Sequence, residues 1–165
     1  SVSSDTFSGI AIDSASEKIA FATSSFIQGV QQSELIIADL GSGMSKQLSI
    51  PQGYVANLSR GSIKFVRDGD FILFLADNEE FDSELFVSSV SGGPVARVNR
   101  EFTTDSPQSV KSFEYAEKHD RVVYVANALS PFLSEIFSTE LSKLVPEDDF
   151  CFPLITNGKS ALICL

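Results

Sequence analysis

The stretch that decides the fold is Ser62 to Asn99, SIKFVRDGDFILFLADNEEFDSELFVSSVSGGPVARVN. Its pattern predicts four short β-strands in a row, at Ile63–Val66, Phe71–Ala76, Glu84–Val90 and Val95–Asn99. The second strand is apolar at every position. Asp68-Gly69 suits the positive φ angles of a tight hairpin, and the Gly and Pro residues of Ser91–Pro94 enforce a second turn. The stretch therefore reads as one four-stranded antiparallel unit.

The same unit recurs along the chain with a period of about 50 residues. The segments KIAFAT, FILFLAD and RVVYVAN align without a gap, and each carries an aromatic residue at the same position: Phe21, Phe74 and Tyr124. The strands that follow open with Glu34-Leu35, Glu84-Leu85 and Glu135-Ile136. A period in this range is typical of stacked supersecondary units, none of which can bury its own faces alone.

The repeat divides one predicted domain, residues 1–165, into units at about 8–60, 61–108 and 109–150, followed by a partial unit at 151–165. The other predicted strands of units one and three are Gly9–Asp13, Lys18–Thr23, Glu34–Leu40, Ser45–Ile50, Ser112–Ala116, Arg121–Ala126 and Glu135–Leu141. Three segments are predicted as connections: loops at Ser24–Ser33 and Ala128–Ser134, and a link at Pro51–Arg60. Ser142–Asp149 is expected to hold a helical turn before a degraded fourth strand.

The second strand of each unit is apolar at nearly every position instead of alternating, which predicts a sheet that is covered on both faces. Four-stranded units of about 40–50 residues with both faces covered are what propeller blades require. The predicted fold is all-β, a β-propeller-like array of four-stranded antiparallel blades. Since propellers close with about four to eight blades, we expect the chain to be a fragment, an open array, or half of a ring closed by oligomerisation.

The order of these elements resembles the TolB-like, WD-type β-propeller repeat. The segments that match it most closely are Asp68-Gly69, Phe71–Asp77, Glu84-Leu85-Phe86 and Gly92-Gly93, and the similarity covers about residues 8–165. Units one and three depart from the pattern, because Ser-Glu and His119-Asp120 replace Asp-Gly. The resemblance implies a non-catalytic binding module. Related propellers also cap serine peptidases of the prolyl-oligopeptidase type, whose separate catalytic domain nothing in this sequence resembles.

Charge and hydropathy narrow the classes of partner. The formal net charge of −10 opposes binding to nucleic-acid phosphates and to anionic membrane surfaces. No run of about 18 apolar residues is present, so we expect no membrane insertion. The chain begins Ser-Val-Ser-Ser-Asp, without an initiator Met or a basic leader, so we expect it to have been trimmed, processed or cut from a longer chain.

The sequence predicts no enzyme activity, no catalytic residues and no cofactor. Nucleophilic hydrolases need a nucleophile, a base and an orienting group within reach of one another. His119 is the one histidine, it falls in a predicted turn, and there is no Gly-x-Ser-x-Gly motif. We therefore expect His119 to be an exposed turn residue.

The densest acidic segment, Asp77-Asn78-Glu79-Glu80-Phe81-Asp82, is a candidate binding loop through Asp77, Glu79, Glu80 and Asp82. Its spacing is not that of a calcium-binding EF-hand and the Gly of that motif is missing, so no metal site is predicted. The repeated Glu34, Glu84 and Glu135 suggest one structural role in every blade, such as a hydrogen bond to the backbone of a neighbouring loop.

Cys151 and Cys164 form a candidate disulfide. If Asn157-Gly158 is a two-residue hairpin turn, Thr156 faces Lys159 and Cys151 faces Cys164. The cysteines then occupy a non-hydrogen-bonded pair, where Cβ atoms approach most closely. The alternative is two buried free thiols. A disulfide would indicate a periplasmic or secreted protein, and free thiols a cytoplasmic one.

The leading functional hypothesis is a non-catalytic module that binds a protein or peptide at loops on the blade rim. One alternative is the regulatory propeller of a larger serine hydrolase or peptidase, and another is a propeller that binds a small ligand or glycan. The predicted edge at Ser160–Leu165 carries no Pro and, after Lys159, no charge, so it favours pairing with another chain. We therefore expect a homodimer or a part of a longer chain.

Overall fold

A computed structural model describes residues 6–13, 15, 17–27, 30–57, 59, 61–80, 82–102, 108–130, 133–144, 151–156 and 159–164. The strands in chain order are β1 Thr6–Asp13, β2 Lys18–Ile27, β3 Val30–Asp39, β4 Ser45–Leu48, β5 Tyr54–Ala56, β6 Ile63–Val66, β7 Phe71–Asn78, β8 Ser83–Ser89, β9 Ala96–Arg97, β10 Val110–Ala116, β11 Arg121–Ser130, β12 Leu133–Glu140, β13 Cys151–Thr156 and β14 Lys159–Cys164. The described part of the chain contains no helix with the length and hydrophobicity needed to span a membrane.

The strands form four antiparallel sheets that follow one another along the chain. The first sheet has the order β1-β2-β3-β4, and the second has β7 at its centre, with β8 and β9 on one side and both β5 and β6 on the other. The described strands of the third sheet are β10-β11-β12, and those of the fourth are β13-β14. The fourth strand predicted for unit three falls on 145–150, which lies outside the described residues.

Two hydrophobic clusters hold the first three sheets together, one on each face of the second sheet. Ile72, Phe74 and Ala76 of β7 join Ala20 and Leu35 of the first sheet in one cluster. In the other cluster, the alternate β7 residues Leu73 and Leu75 pack with Val122, Tyr124 and Ala126 of the third sheet. The prediction that β7 is covered on both faces is confirmed, because every residue from Ile72 to Ala76 is buried. Burial of this much apolar surface is the main force holding the sheets together.

The predicted loops Ser24–Ser33 and Ala128–Ser134 are wrong. β2 and β3 stay paired from Lys18–Asp39 out to Ile27–Val30, and β11 and β12 are paired again at Ser130–Leu133. The apolar pattern fades in these segments because they extend beyond the clusters between the sheets. Cross-strand backbone hydrogen bonds continue without it, so the two hairpins are longer than the hydrophobic pattern indicates.

The predicted link Pro51–Arg60 is also wrong, because it contains β5. β5 and β6 pair with the same edge of β7, through Ala56–Ala76 and Ile63–Phe74. Asn57 N donates to Leu75 O at 3.0 Å, and Leu75 N donates to Ser62 O at 2.8 Å. Residues 57–62 therefore leave the ladder and return to it within one residue of β7. We call this segment the 57–62 excursion.

The first strand of the first sheet and the first strand of the third sheet are both irregular. The register of β1 shifts between Ser8 and Ala11, and that of β10 shifts between Val110 and Ser112. In β1 the irregularity includes Gly9, with φ of 66°, where an added Cβ would lie 2.9 Å from Ser62 Oγ. Glycine is needed there because the first sheet approaches the neck of the 57–62 excursion too closely for a side chain.

The turns follow the sequence more closely. Arg67, Asp68 and Gly69 have φ of 50°, 53° and 82°, as predicted for an Asp-Gly hairpin. In the third sheet a 3₁₀ turn at Glu117–His119 leads into Asp120 with φ of 47°. A second 3₁₀ turn covers Leu141–Lys143, so the predicted helical turn begins one residue before the segment assigned to it.

The backbone of the fourth sheet has the predicted register. Thr156 pairs with Lys159, and Cys151 pairs with Cys164 at the far end of the ladder. Asn157, Gly158 and the side chains of both strands lie outside the described residues. The Cys151–Cys164 disulfide therefore stays a prediction that rests on the pairing of the two backbones.

Candidate functional site

A cleft of about 420 Å³ lies between the second and third sheets. One wall comes from the 57–62 excursion with Leu75 and Ser83, and the other from Ser109 and strand β10. The lining residues are Asn57, Ser59, Gly61, Ser62, Leu75, Ser83, Ser109, Val110, Lys111, Ser112, Phe113 and Glu114. The size is within the range of ligand pockets, and the lining mixes hydroxyl groups with apolar side chains.

Part of this lining is fixed by hydrogen bonds within the protein. The Asn57 amide donates to both oxygens of Asp77 at 2.9 Å, and the Ser83 hydroxyl donates to the same carboxylate. Ser83 N donates to Ser109 Oγ at 3.0 Å, which ties the second sheet to the third. Ser62 Oγ donates to Asn57 O at 2.7 Å and closes the neck of the excursion. These hydrogen bonds hold the shape of the cleft, and Asp77 supports the lining residues Asn57 and Ser83 from behind without lining the cleft itself.

The other wall is shaped by a β-bulge at Lys111. Val110 pairs with Ala126 and Ser112 with Val125, so Lys111 is the extra residue. A hydrogen bond just before the bulge holds β10 in place against β11, because Ser109 N donates to Asn127 Oδ1 at 2.6 Å. Bulges redirect side chains and are frequent beside functional sites. Here the bulge places the exposed side chain of Lys111 along the cleft.

The candidate acidic loop is shorter than predicted, because β7 runs on to Asn78. Asp77 belongs to that strand and is engaged by Asn57 and Ser83. Asn78 orders the turn that follows: its side-chain oxygen accepts from Glu80 N and Asp82 N, both at 2.9 Å. Glu79 and Glu80 are exposed. The structure therefore separates Asp77 from the other three acidic residues.

Asp82 connects the acidic loop to the cleft. Burial raises the pKa of its carboxyl group above the usual value, and the charge of Glu80 adds to this, while a backbone hydrogen bond from Gln108 and the charge of Lys111 oppose it. The next residue, Ser83, lines the cleft. The residues Glu79, Glu80 and Asp82 thus lie at the end of β7 and β8 that leads into the cleft wall at Ser83. That this loop binds a partner stays a prediction.

The single histidine lies elsewhere. His119 is exposed within the 3₁₀ turn between β10 and β11, as predicted. The cleft hydroxyls sit beside the start of β10 and the middle of β11, so about 20 Å of strand separates them from this turn. Within the described ranges, no three His, Cys, Asp or Glu side chains come together in a way that could hold a metal ion.

The prediction that the three repeated glutamates share one role is wrong. Glu84 is buried, and its carboxylate accepts from Tyr54 OH at 2.6 Å and from Arg97 Nη1 at 3.0 Å, so its partners are side chains and not loop backbone. Burial and this carboxylate raise the pKa of Tyr54 to about 12. Glu34 is exposed. The register that repeats is that of the strand, since Leu35 and Leu85 are both fully buried.

Sequence reasoning missed a bidentate ion pair between the second and third sheets. The Arg67 guanidinium donates to both oxygens of Asp120, at 2.9 and 2.6 Å. The same carboxylate accepts from Tyr115 OH at 2.9 Å and from Ser142 N at 2.9 Å. The Arg67 hydrogen bonds, with help from Tyr115, lower the pKa of Asp120 to about 2 despite partial burial. We call Arg67, Tyr115, Asp120 and Ser142 the inter-sheet clamp.

No protein-family model matches the sequence, and neither does any curated protein. Solved structures do match the fold. A putative TolB from Agrobacterium tumefaciens superposes with a TM-score of 0.52 over 83% of this chain and 46% of its own, at 17% identity. TolB from Acinetobacter baumannii gives 0.56 over 82% and 30%, at 18% identity. The β-propeller domain of the Trilobed protease from Pyrococcus furiosus gives 0.61 over 94% and 47%, at 12% identity.

The fold is that of a TolB-like β-propeller. We call the first, second and third sheets blades one, two and three. The chain spans less than half the length of each of these three structures. At identities this low, the likeness is to the fold alone, and the site must be argued from its own residues.

Proposed function

We propose that this propeller module is non-catalytic and binds a protein or peptide where the cleft and the acidic loop meet. The observation that carries the proposal is the shape of this end of blades two and three. There the chain leaves the regular sheet after Asn57 and again after Asn78, and side-chain hydrogen bonds hold Ser62 to Asn57 and Asp82 to Asn78. Connections held in place by a rigid scaffold are where binding residues concentrate.

The position of His119 supports a binding role over hydrolysis. A hydrolase of the serine type needs a hydroxyl within hydrogen-bond reach of its base. His119 sits at the opposite end of blade three from the cleft hydroxyls of Ser109 and Ser112. The chain therefore does not bring these residues together as a nucleophile and its base.

A second candidate is a propeller that belongs to a larger peptidase. The likeness to the propeller domain of the Trilobed protease, at a TM-score of 0.61, favours it. Under this alternative the chemistry belongs to another domain, and the same cleft and loop would contact substrate or that domain. The two candidates agree that the described residues bind and do not catalyse.

Peptide selection tests the binding role. We expect a displayed random-peptide library to yield basic peptides, because the chain carries a net charge of −10 and the loop presents Glu79 and Glu80. The double variant Glu79→Gln/Glu80→Gln should weaken these peptides by about tenfold in calorimetry, roughly the effect of losing two exposed charge pairs.

The control is Glu17→Gln/Glu117→Gln, which removes two exposed carboxylates from the turns at the opposite end of blades one and three. This variant should leave binding unchanged. Failure to enrich any peptide, or equal losses in both double variants, would contradict the proposed function.

We also propose that a second copy of the chain covers the outward faces of blades one and three. The side chain of Ile12 on β1 is 67% exposed and that of Ile136 on β12 is 76% exposed. Blade two packs one face on blade one and the other on blade three, so the repeat leaves blade one with the first kind of face exposed and blade three with the second. A copy therefore carries one face of each kind, and two copies related by a two-fold axis would cover both.

Light scattering at about 50 µM is expected to give twice the monomer mass of 17.9 kDa. Ile136→Glu should shift the mass to that of the monomer, since burying an unpaired charge opposes association. Asp68→Asn, which alters an exposed turn residue of blade two, away from both outward faces, is the control and should stay dimeric. A wild-type monomer at this concentration would reject the dimer.

A further inference from the structure

We infer that the cleft between blades two and three holds an oxyanion of the ligand, a carboxylate or a phosphate, through the ammonium group of Lys111. This inference rests on the proposed binding function and specifies the chemistry that the ligand must bring. Neither the acidic loop nor the fold implies it, because the loop selects for cations and propeller folds serve many ligands.

The first step is the division of the cleft's polar groups into two sets. The Asn57 amide and the hydroxyls of Ser62 and Ser83 are already hydrogen-bonded within the protein, so they act as scaffold. Lys111, Ser59 and Ser112 differ. In the described part of the chain no hydrogen bond or ion pair involves their side chains, although all three line the cleft.

The second step concerns charge. Two lysines lie along this edge, and Lys64 forms an ion pair with Glu114. Glu114 is the acidic residue of β10, and this ion pair engages its carboxylate. Lys111 therefore has no ion-pair partner in the described ranges. Asp82 acts on Lys111 through charge alone, beyond ion-pair distance. Among the described lining residues, Lys111 is therefore a cation with no hydrogen-bond or ion-pair partner, flanked by two hydroxyl groups, an arrangement that favours an oxyanion.

The third step is shape. Lys111 is the extra residue of the β-bulge, with the buried Val110 before it. The bulge fixes where the Lys111 side chain leaves the strand, beside the cleft. Leu75, Val110 and Phe113 also contribute to the lining. A ligand with an apolar group next to its anion fits this mixture, as the C-terminal residue of a peptide would.

The test is a nuclear magnetic resonance titration with three probes: N-acetyl-Ala-Ala with a free carboxylate, its C-terminal amide, and inorganic phosphate. Binding of the free acid or of phosphate should shift the amide signals of Gly61, Lys111 and Ser112. Lys111→Met keeps the apolar stem and removes the charge. It should weaken the binding of that anion by at least about tenfold, the usual effect of losing a charge-assisted hydrogen bond.

Lys118→Met is the matched control, because Lys118 is an exposed lysine in the turn at the far end of blade three. It changes the net charge equally and should leave the titration unchanged. Preference for the free acid over the amide would assign the anion to a carboxylate, and binding of phosphate alone would assign it to a phosphoryl group. Equal effects of the two methionine variants, or no anion-dependent shift at the cleft, would overturn the inference.

The result also separates this inference from the proposed function. Library-selected peptides that bind Lys111→Met as tightly as the wild-type chain would reject the oxyanion site and leave peptide binding standing. Anion binding that depends on Lys111, together with a peptide library that yields no binder, would reject peptide binding and leave the oxyanion site standing.

Discussion

Replacing Phe74 with alanine is expected to lower the free energy of unfolding by about 3–5 kcal/mol, the usual cost of deleting a buried aromatic side chain. Phe74 is fully buried at the centre of β7 and belongs to the cluster between blades one and two. Its ring stacks on that of Phe86, with centroids 5.8 Å apart. The cavity would lie where two sheets meet, so neither could collapse to fill it without disturbing the other.

Urea denaturation followed by far-ultraviolet circular dichroism measures this loss. Leu40→Ala serves as the control, because Leu40 is exposed in the turn after β3 and its truncation should cost less than about 0.5 kcal/mol. A loss below about 1 kcal/mol for Phe74→Ala would mean that the packing between blades one and two is not central to stability.

The second large effect is expected at the inter-sheet clamp. Asp120→Ala should cost about 2–3 kcal/mol, because it removes the partner of a largely buried guanidinium group. The Arg67 side chain is 13% exposed and that of Asp120 is 31% exposed, so solvent screens the pair only in part. The substitution also leaves Tyr115 OH and Ser142 N without the acceptor they use.

A double-mutant cycle with Arg67→Met measures how much of this cost belongs to the pair. Glu114→Ala is the control, since the Lys64–Glu114 pair joins the same two blades but its carboxylate is exposed. We expect that control to lose less than about 1 kcal/mol. Equal losses at Asp120 and Glu114 would show that the clamp is no stronger than a surface ion pair.

The clamp also fixes a direction for the effect of pH. The pKa of Asp120 is lowered to about 2 in the folded chain, from about 3.9 when unfolded. A lowered carboxyl pKa adds stability above the unfolded value, and this stability is lost as the pH falls from about 4 to 2. After allowance for solvent screening, the difference between wild type and Asp120→Asn should shrink by about 1–2 kcal/mol over this interval.

The sequence predicted those features of the fold that depend on local pattern. The strand Ile63–Val66 has the predicted bounds, because charged and Gly residues end it abruptly. The register of β13 and β14 follows from the position of one turn. The extensions of β2 and β11 could not be predicted in this way, because backbone hydrogen bonds between strands do not require any pattern of apolar and polar side chains.

The candidate site was harder to predict, for a physical reason. The residues of the cleft come from separate repeats, and the acidic loop was recognised only because its charges are adjacent in sequence. The clamp joins two turns that are 53 residues apart, and each looks like an ordinary polar turn by itself. One feature of the sequence pointed to the clamp. Arg67 and Asp120 both lie in the turn after the first strand of their units, where the sequences of units two and three differ. Covariation across aligned sequences could have paired them.

The 57–62 excursion has a consequence for how such a blade can change over time. β5 and β6 pair with neighbouring parts of β7, and Ser62 closes the neck between them. The pairing of the strands therefore does not depend on the number of residues in the excursion. Doubling the length of a flexible loop costs only about 0.6 kcal/mol. New residues inserted between Asn57 and Ser62 could thus reshape one wall of the cleft while the sheet stays as it is. The binding surface of this blade can therefore vary by insertion at this segment without a change in the pairing of its strands.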